Sequence, residues 1–222
     1  DFGPLNVEDG GLVNAGSIVV GDETFGSGMI TVQRVGSGGV PSTFKASLLG
    51  IVVGRHGDAT LRVGDGGLLG GQFDVSVGVG GGEGSLMVKG FDTASGKRST
   101  LLVTPSAALG GGGLSIGEEL VQGSTAGSGE MFIQNGALVT SVMGAVGKSA
   151  IGTATVDAAG NGLPSEWRMT EDLVVGGSSF GALGVRNGGL VSTRHIELGK
   201  EAFGNGTITV AGVGAGGVPS TL

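Results

Sequence analysis

The sequence predicts an all-β fold: a right-handed parallel β-helix (β-solenoid) of about eight rungs with Gly-rich corners. Three observations carry this. Glycine supplies 52 of 222 residues, while hydrophobic residues hold at 39% and aromatics fall to 4%. A short apolar motif recurs eight times at rung-like intervals. A second apolar motif alternates with it along the chain. Glycine without a three-residue period excludes collagen, and the apolar content excludes a disordered Gly/Ser linker. A narrow coil with frequent corners and a thin interior has this composition.

The first motif reads Gly-x-apolar-x-Val. Its last residue, the anchor, falls at Val7, Val32, Val63, Val88, Ile133, Val156, Val185 and Val210. Two residues earlier stand Leu5, Ile30, Leu61, Leu86, Met131, Ala154, Leu183 and Ile208. Four residues earlier stand Gly3, Gly28, Ala59, Gly84, Gly129, Gly152, Gly181 and Gly206. Apolar residues two apart behind a turn residue mark a short strand with one buried face. The second motif, apolar-x-apolar-Gly, ends at Gly21, Gly54, Gly78, Gly117, Gly176 and Gly199; at Val146-Gly147 its first apolar position is Gly144. Stacking such units in parallel lines up like residues in ladders, and the crossover rule for parallel strands predicts right-handed coiling. A propeller or sandwich is the competing fold, but propeller blades are longer and carry aromatic signatures.

Two kinds of unit alternate. After Val7, Val63, Ile133 and Val185 the chain reads EDGGL, GDGGL, QNGAL and RNGGL. Asp-Gly and Asn-Gly supply a tight turn, and the Leu is expected to resume the core. After Val32, Val156 and Val210 a longer loop ends in Pro-Ser; after Val88 it keeps Ser-Thr without Pro. Anchor spacing is 25, 25, 23 and 25 after short turns, against 31, 45 and 29 after long loops. Length variation therefore belongs to alternate units, in loops 33–50, 89–113 and 157–172.

A super-repeat overlies the units. Residues 1–44 match 179–222 at an offset of 178 without a gap, with 25 identities, nine of them glycine. The expected organisation is one solenoid region over 1–222, with a super-repeat over 1–178 and the next copy opening at 179. Asp1 lies inside a repeat and Leu222 stops mid-motif, so a segment of a longer array is expected.

Net charge is −7, and the 12 Lys and Arg form no cluster, which argues against nucleic acid. The apolar stretch ASLLGIVVG at 46–54 is too short for a bilayer span. Cysteine is absent, excluding disulfides and thiolate metal sites.

The pattern is clearest over residues 152–199, GTATVDAAGNGLPSEWRMTEDLVVGGSSFGALGVRNGGLVSTRHIELG. It resembles the repeats shared by type V secretion autotransporters and exosortase-sorted (PEP-CTERM) bacterial surface proteins. That family's Ser followed by an aromatic is matched by Ser165-Glu166-Trp167 and Ser42-Thr43-Phe44; Leu101 and Leu222 depart from it. The resemblance spans essentially the whole chain. It implies a secreted or cell-surface β-solenoid of a Gram-negative-type bacterium and carries no catalytic or ligand residues over.

The residue types that could carry chemistry fit structural places better. Asp9 and Asp65 share a rung position with Asn135 and Asn187, which favours a turn over a Ca²⁺ ligand set. The Gly runs at 78–84 and 110–113 lack the Lys-Ser/Thr and helix of a phosphate loop. His56 and His195 share no motif and are expected at the surface. Trp167 is expected to pack a corner rather than stack on a sugar ring. Glu118-Glu119, Glu171-Asp172 and Asp157 scatter, whereas a polysaccharide-active enzyme needs its carboxylates together. No catalytic, cofactor or metal residues are therefore expected.

The expected role is a non-catalytic structural repeat region of an extracellular bacterial surface protein or filament. Rungs would stack end to end, with the chain itself as axial partner through its terminal rungs and cell-surface or matrix glycans as a further class. Acidic lateral faces would limit side-by-side clumping. The alternative is an adhesin or autotransporter passenger stalk binding through its loops. A polysaccharide-active β-helix enzyme ranks third.

Overall fold

The computed structural model describes residues 4–48, 50–105, 111–119, 127–160 and 162–222. The molecule is built from parallel strands in three large sheets of eight, seven and seven strands. The chain visits the first, second and third sheets in turn, then returns to the first beside its previous strand. This arrangement is compatible with a β-helix. Among the described residues no helix is long and apolar enough to cross a membrane.

The first sheet contains Leu5–Val7, Ser27–Gln33, Asp58–Gly64, Glu83–Lys89, Ser128–Gln134, Ile151–Asp157, Phe180–Arg186 and Asn205–Ala211. The eight anchors fall in one row. Val7 pairs with Val32, then Val63, Val88, Ile133, Val156, Val185 and Val210 follow without a slip. The intervening insertions leave no trace in this register. Side chains from Val32 to Val185 are buried in this row, and Leu61, Leu86 and Met131 are buried two residues before it. Each large side chain so buried contributes about 1.5–3 kcal/mol. Gly3 lies outside the described residues.

The second sheet contains Leu12–Ala15, Thr43–Ala46, Leu68–Gln72, Thr100–Thr104, Leu138–Ser141, Glu166–Met169 and Leu190–Ser192. Here the structure corrects one expectation. The Leu after each Asp/Asn-Gly turn does not resume the core. Leu12 is 62% exposed, and Leu68, Leu138 and Leu190 are only partly covered. The next residue points inward, because the turn delivers the strand one residue out of phase with that reading. The buried ladder is Val13, Phe44, Leu69, Leu101, Val139, Trp167 and Val191, with Val13 partly buried at the edge. Leu101, which departs from the Ser-x-aromatic pattern, fills the same slot as Phe44 and Trp167.

The third sheet contains Ile18–Val20, Ile51–Val53, Val75–Val79, Gly113–Glu118, Met143–Val146, Asp172–Val175 and His195–Leu198. The weak motif copy at Gly144 has a packing cause. Gly144 pairs with Leu114 on one side and Leu173 on the other. A Cβ built there would lie 2.7 Å from Cζ2 of Trp167 and 2.6 Å from Sδ of Met169. The large indole occupies the volume that a side chain at position 144 would need. A glycine of positive φ closes each strand of this sheet, directly after it at Gly21, Gly54, Gly147, Gly176 and Gly199 and one residue before its end at Gly78 and Gly117. At Gly147 (φ 72°) an added Cβ would collide with the carbonyl oxygen of Phe180. The corner therefore admits glycine alone on two counts.

The segments 33–50, 89–113 and 157–172 each contain a second-sheet strand: Thr43–Ala46, Thr100–Thr104 and Glu166–Met169. What projects is smaller. Val35–Gly36 pairs antiparallel with Val40–Pro41, and single antiparallel bridges join Phe91 to Arg98 and Gly160 to Leu163.

Candidate functional site

The most regular polar feature is a turn locked by a hydroxyl. Asp9, Asp65, Asn135 and Asn187 have φ of 53°, 47°, 54° and 48°, and the glycine after each has φ of 80–87°. Two successive left-handed residues make a tight turn of the kind that favours Asx-Gly. The glycine N–H then donates to a serine of the following long-loop unit. Gly10 donates to Ser42 Oγ, Gly66 to Ser99, Gly136 to Ser165 and Gly188 to Ser220, all at 3.0–3.1 Å. Three of these hydroxyls pass the bond on to a carbonyl of their own unit: Ser99 to Lys89, Ser165 to Asp157 and Ser220 to Ala211, at 2.7–2.8 Å. Ser42, Ser99 and Ser165 have no exposure. The Ser that opens the Ser-x-aromatic pattern is thus a buried clasp between adjacent units.

A second cluster had no signal in the sequence, because the partners of Arg98 lie 38 to 68 residues from it. Arg98 donates to the carbonyls of Gly136, Ala137 and Pro164 at 2.6–2.9 Å, and its Nη1 lies 3.3 Å from Glu166 Oε2. Arg168 closes on the other oxygen of Glu166. Glu166 is buried and the Arg98 side chain is 17% exposed. Burial pushes the Arg98 guanidinium below its ordinary pKa, with Glu166 opposing that shift. One side chain thereby ties the projecting loop near Phe91 to the next two units.

The carboxylates singled out in the sequence stay apart. Glu118 accepts from Ser76 Oγ at 2.8 Å and pairs with Lys148. The Glu119 N–H donates to Ser149 Oγ at 2.7 Å. Glu171 pairs with Arg194 at 2.8 Å, and Asp157 accepts from the Asn187 amide at 2.8 Å. His56 lies 2.8 Å from the Asp22 carbonyl. His195 is five strands further along the third sheet, about 24 Å at the usual strand spacing. Trp167 is fully buried, and its Nε1 donates to Ser141 Oγ at 3.1 Å, so its ring faces the core. The run 78–84 forms the end of one strand, a corner and the start of the next; Gly110 of the run 110–113 lies outside the described residues.

Two outer surfaces stand out among the described residues. A groove of about 260 Å³ runs over the third sheet, floored by Ser115, Ala145 and Val174. Asp74 and Asp172 stand at the strand starts on one rim, and Lys148 and Lys200 follow the strand ends on the other. Glu197, 2.7 Å from Lys200, raises that ammonium above its ordinary pKa. At the corner between the third and first sheets, Phe25 and Phe203 stand 99% and 96% exposed. The sequence pattern Phe-Gly-x-Gly at 25–28 and 203–206 could have revealed them. Comparison with protein-family models, with characterised proteins and with solved structures gives no match.

Proposed function

We propose that the chain is a non-catalytic structural repeat region of an extracellular bacterial surface protein or filament. Its form would be a right-handed parallel β-solenoid, each anchor opening a rung, secreted or displayed by a Gram-negative-type bacterium. The observation that carries this is the unbroken anchor row from Val7 to Val210, held across anchor spacings of 23 to 45 residues. A rod of constant cross-section tolerates loop variation on one side while its axial ladder stays regular. The repeated geometry at the 178-residue offset supports the super-repeat. Asp9 and Asn187, Gly21 and Gly199, and Gly38 and Gly216 match in backbone sign and size, and the clasp Gly10–Ser42 recurs as Gly188–Ser220. Successive super-repeats would extend the rod by about 28 Å each, six strand spacings. Edge strands carry unpaired backbone groups, so separate copies would also meet axially. The scattering of paired carboxylates favours a mechanical role over turnover.

Electron microscopy and fibre diffraction of the purified protein test this together. Rods with a repeat of about 4.7–4.9 Å along their axis are expected. Compact, monodisperse particles at every concentration would count against the filament form. Glycan binding abolished by deleting 89–99, without loss of the thermal transition, would favour an adhesin instead.

A further inference from the structure

Phe25 and Phe203 occupy positions that local rules oppose. Each is the third residue of a four-residue turn, Glu23-Thr24-Phe25-Gly26 and Glu201-Ala202-Phe203-Gly204. The turns close through Gly26 N–H to the Glu23 carbonyl at 2.8 Å and Gly204 N–H to the Glu201 carbonyl at 3.0 Å. The phenylalanines have φ of 67° and 72°. Positive φ at that place ordinarily calls for Gly or Asn. A bulky side chain there is strained, and at nearly full exposure it recovers nothing by burial within the chain. The corner is also lengthened to hold it. From third-sheet Gly to anchor the chain takes 11 residues at 21–32 and 199–210, against nine at 54–63, 147–156 and 176–185, ten at 78–88 and 16 at 117–133. Strain, exposure and insertion coincide twice, 178 residues apart.

The two rings lie at the same corner. Ser27 and Asn205, two residues beyond them, start strands at the second and eighth places of the first sheet, joined by an unslipped register. Six strand spacings put the rings about 28 Å apart along the stack.

We infer that these rings form a two-point contact with a second copy of the chain, laid antiparallel, so that Phe25 stacks on the partner's Phe203 and Phe203 on the partner's Phe25. A two-fold axis makes such a contact self-complementary, and both copies carry the same spacing. Aromatic rings can pair with each other without a preformed pocket. Charge selects the direction. Three residues before the ring stands Asp22 in one corner and Lys200 in the other. Antiparallel pairing sets Asp22 opposite the partner's Lys200 twice; parallel pairing sets like against like. Their present partners, Arg55 at 3.2 Å and Glu197 at 2.7 Å, are part-exposed ion pairs of the kind that exchange at little cost. The net charge of −7 opposes unspecific lateral contact, and a closed two-fold pair does not propagate into clumps.

The full chain is tested by sedimentation over a wide concentration range at physiological ionic strength. A concentration-dependent pairing step that requires both rings is expected, distinct from any end-to-end association. The double variant Phe25→Ser/Phe203→Ser should keep the wild-type melting temperature and weaken the dimer by about tenfold or more. Phe25→Trp/Phe203→Trp should retain it. Since the chain has no cysteine, Phe25→Cys and Phe203→Cys give single thiols, whose cross-linking reads the contact directly. Mixing the two variants should give disulfide-linked heterodimers in preference to either homodimer. A wild type that stays monomeric, a Ser variant that associates unchanged, or a mixture in which the Phe25→Cys chains link preferentially to one another would each overturn the inference.

Discussion

Replacing Arg98 by Ala is the most informative single change to the fold. The guanidinium satisfies three backbone carbonyls, those of Gly136, Ala137 and Pro164, and one oxygen of the buried Glu166. Alanine leaves all of these acceptors without that donor. Removing one member of a buried ion pair costs about 3–5 kcal/mol. Arg168 still holds the other Glu166 oxygen, from a side chain 57% exposed, which places the expected loss near the lower end, about 3 kcal/mol. For a chain of this length that lowers the melting temperature by about 6–12 °C. Arg98→Lys keeps the charge but loses the planar fork, and should recover less than half of the difference. Circular dichroism melts and chemical denaturation measure the effect. Limited proteolysis should show earlier cutting between residues 91 and 98. An Arg98→Ala protein within about 1 kcal/mol of wild type, with unchanged proteolysis, would refute the idea that this side chain binds three units together.

Val63→Asp should cost several kcal/mol in denaturant melts, because Val63 is fully buried between Val32 and Val88. Asp65→Asn should be nearly neutral, since Asn135 and Asn187 adopt the same turn; equal loss in both variants would mean the register is misread. Ser165→Ala leaves the Gly136 N–H without its acceptor and should cost about 1–3 kcal/mol. It should also speed deamidation at Asn135, because that reaction needs the freed Gly136 nitrogen to attack the side-chain amide; a mass-spectrometric rate equal to wild type would count against the clasp. Acid should loosen the turn after Phe91. Hydrogen bonds from Ser95, including its N–H at 2.6 Å, hold the Asp92 carboxyl below its ordinary pKa. The folded pKa is depressed, so this contribution is present above about pH 4 and is lost as pH falls through the folded value. Faster amide exchange at Ser95 on acidification, beyond the intrinsic pH dependence, is the expected readout.

Much of the fold was legible because its period is short. The spacing of Val7, Val32, Val63 and the other anchors picked out one strand per unit, and the glycines after Val20, Val53 and Val77 picked out another. A buried ladder requires like residues at like places, so repetition in sequence translates directly into register. The strand between them was harder. Leu12, Leu68, Leu138 and Leu190 look like core residues by composition, but the phase of a strand depends on the backbone path through the preceding turn. The candidate surfaces were less legible still. Arg98 and Glu166 meet only because the parallel pairing of intervening strands brings their segments side by side. The exposure of Phe25 and Phe203 follows from turn geometry that the residue type itself disfavours.

The sequence by itself determined the strand-by-strand repeat, the glycine corners and the Asx-Gly turns, since each is a local rule applied many times. Tertiary structure decided everything that depends on volume and distance across the stack. Gly144 reads in sequence as a faded copy of Leu114 and Leu173. In the fold it is the space required by Trp167, which stands 23 residues further along the chain and presses its indole against that position. Packing compensates a large side chain with a missing one wherever close contact forces it, and no local pattern records which pair that will be.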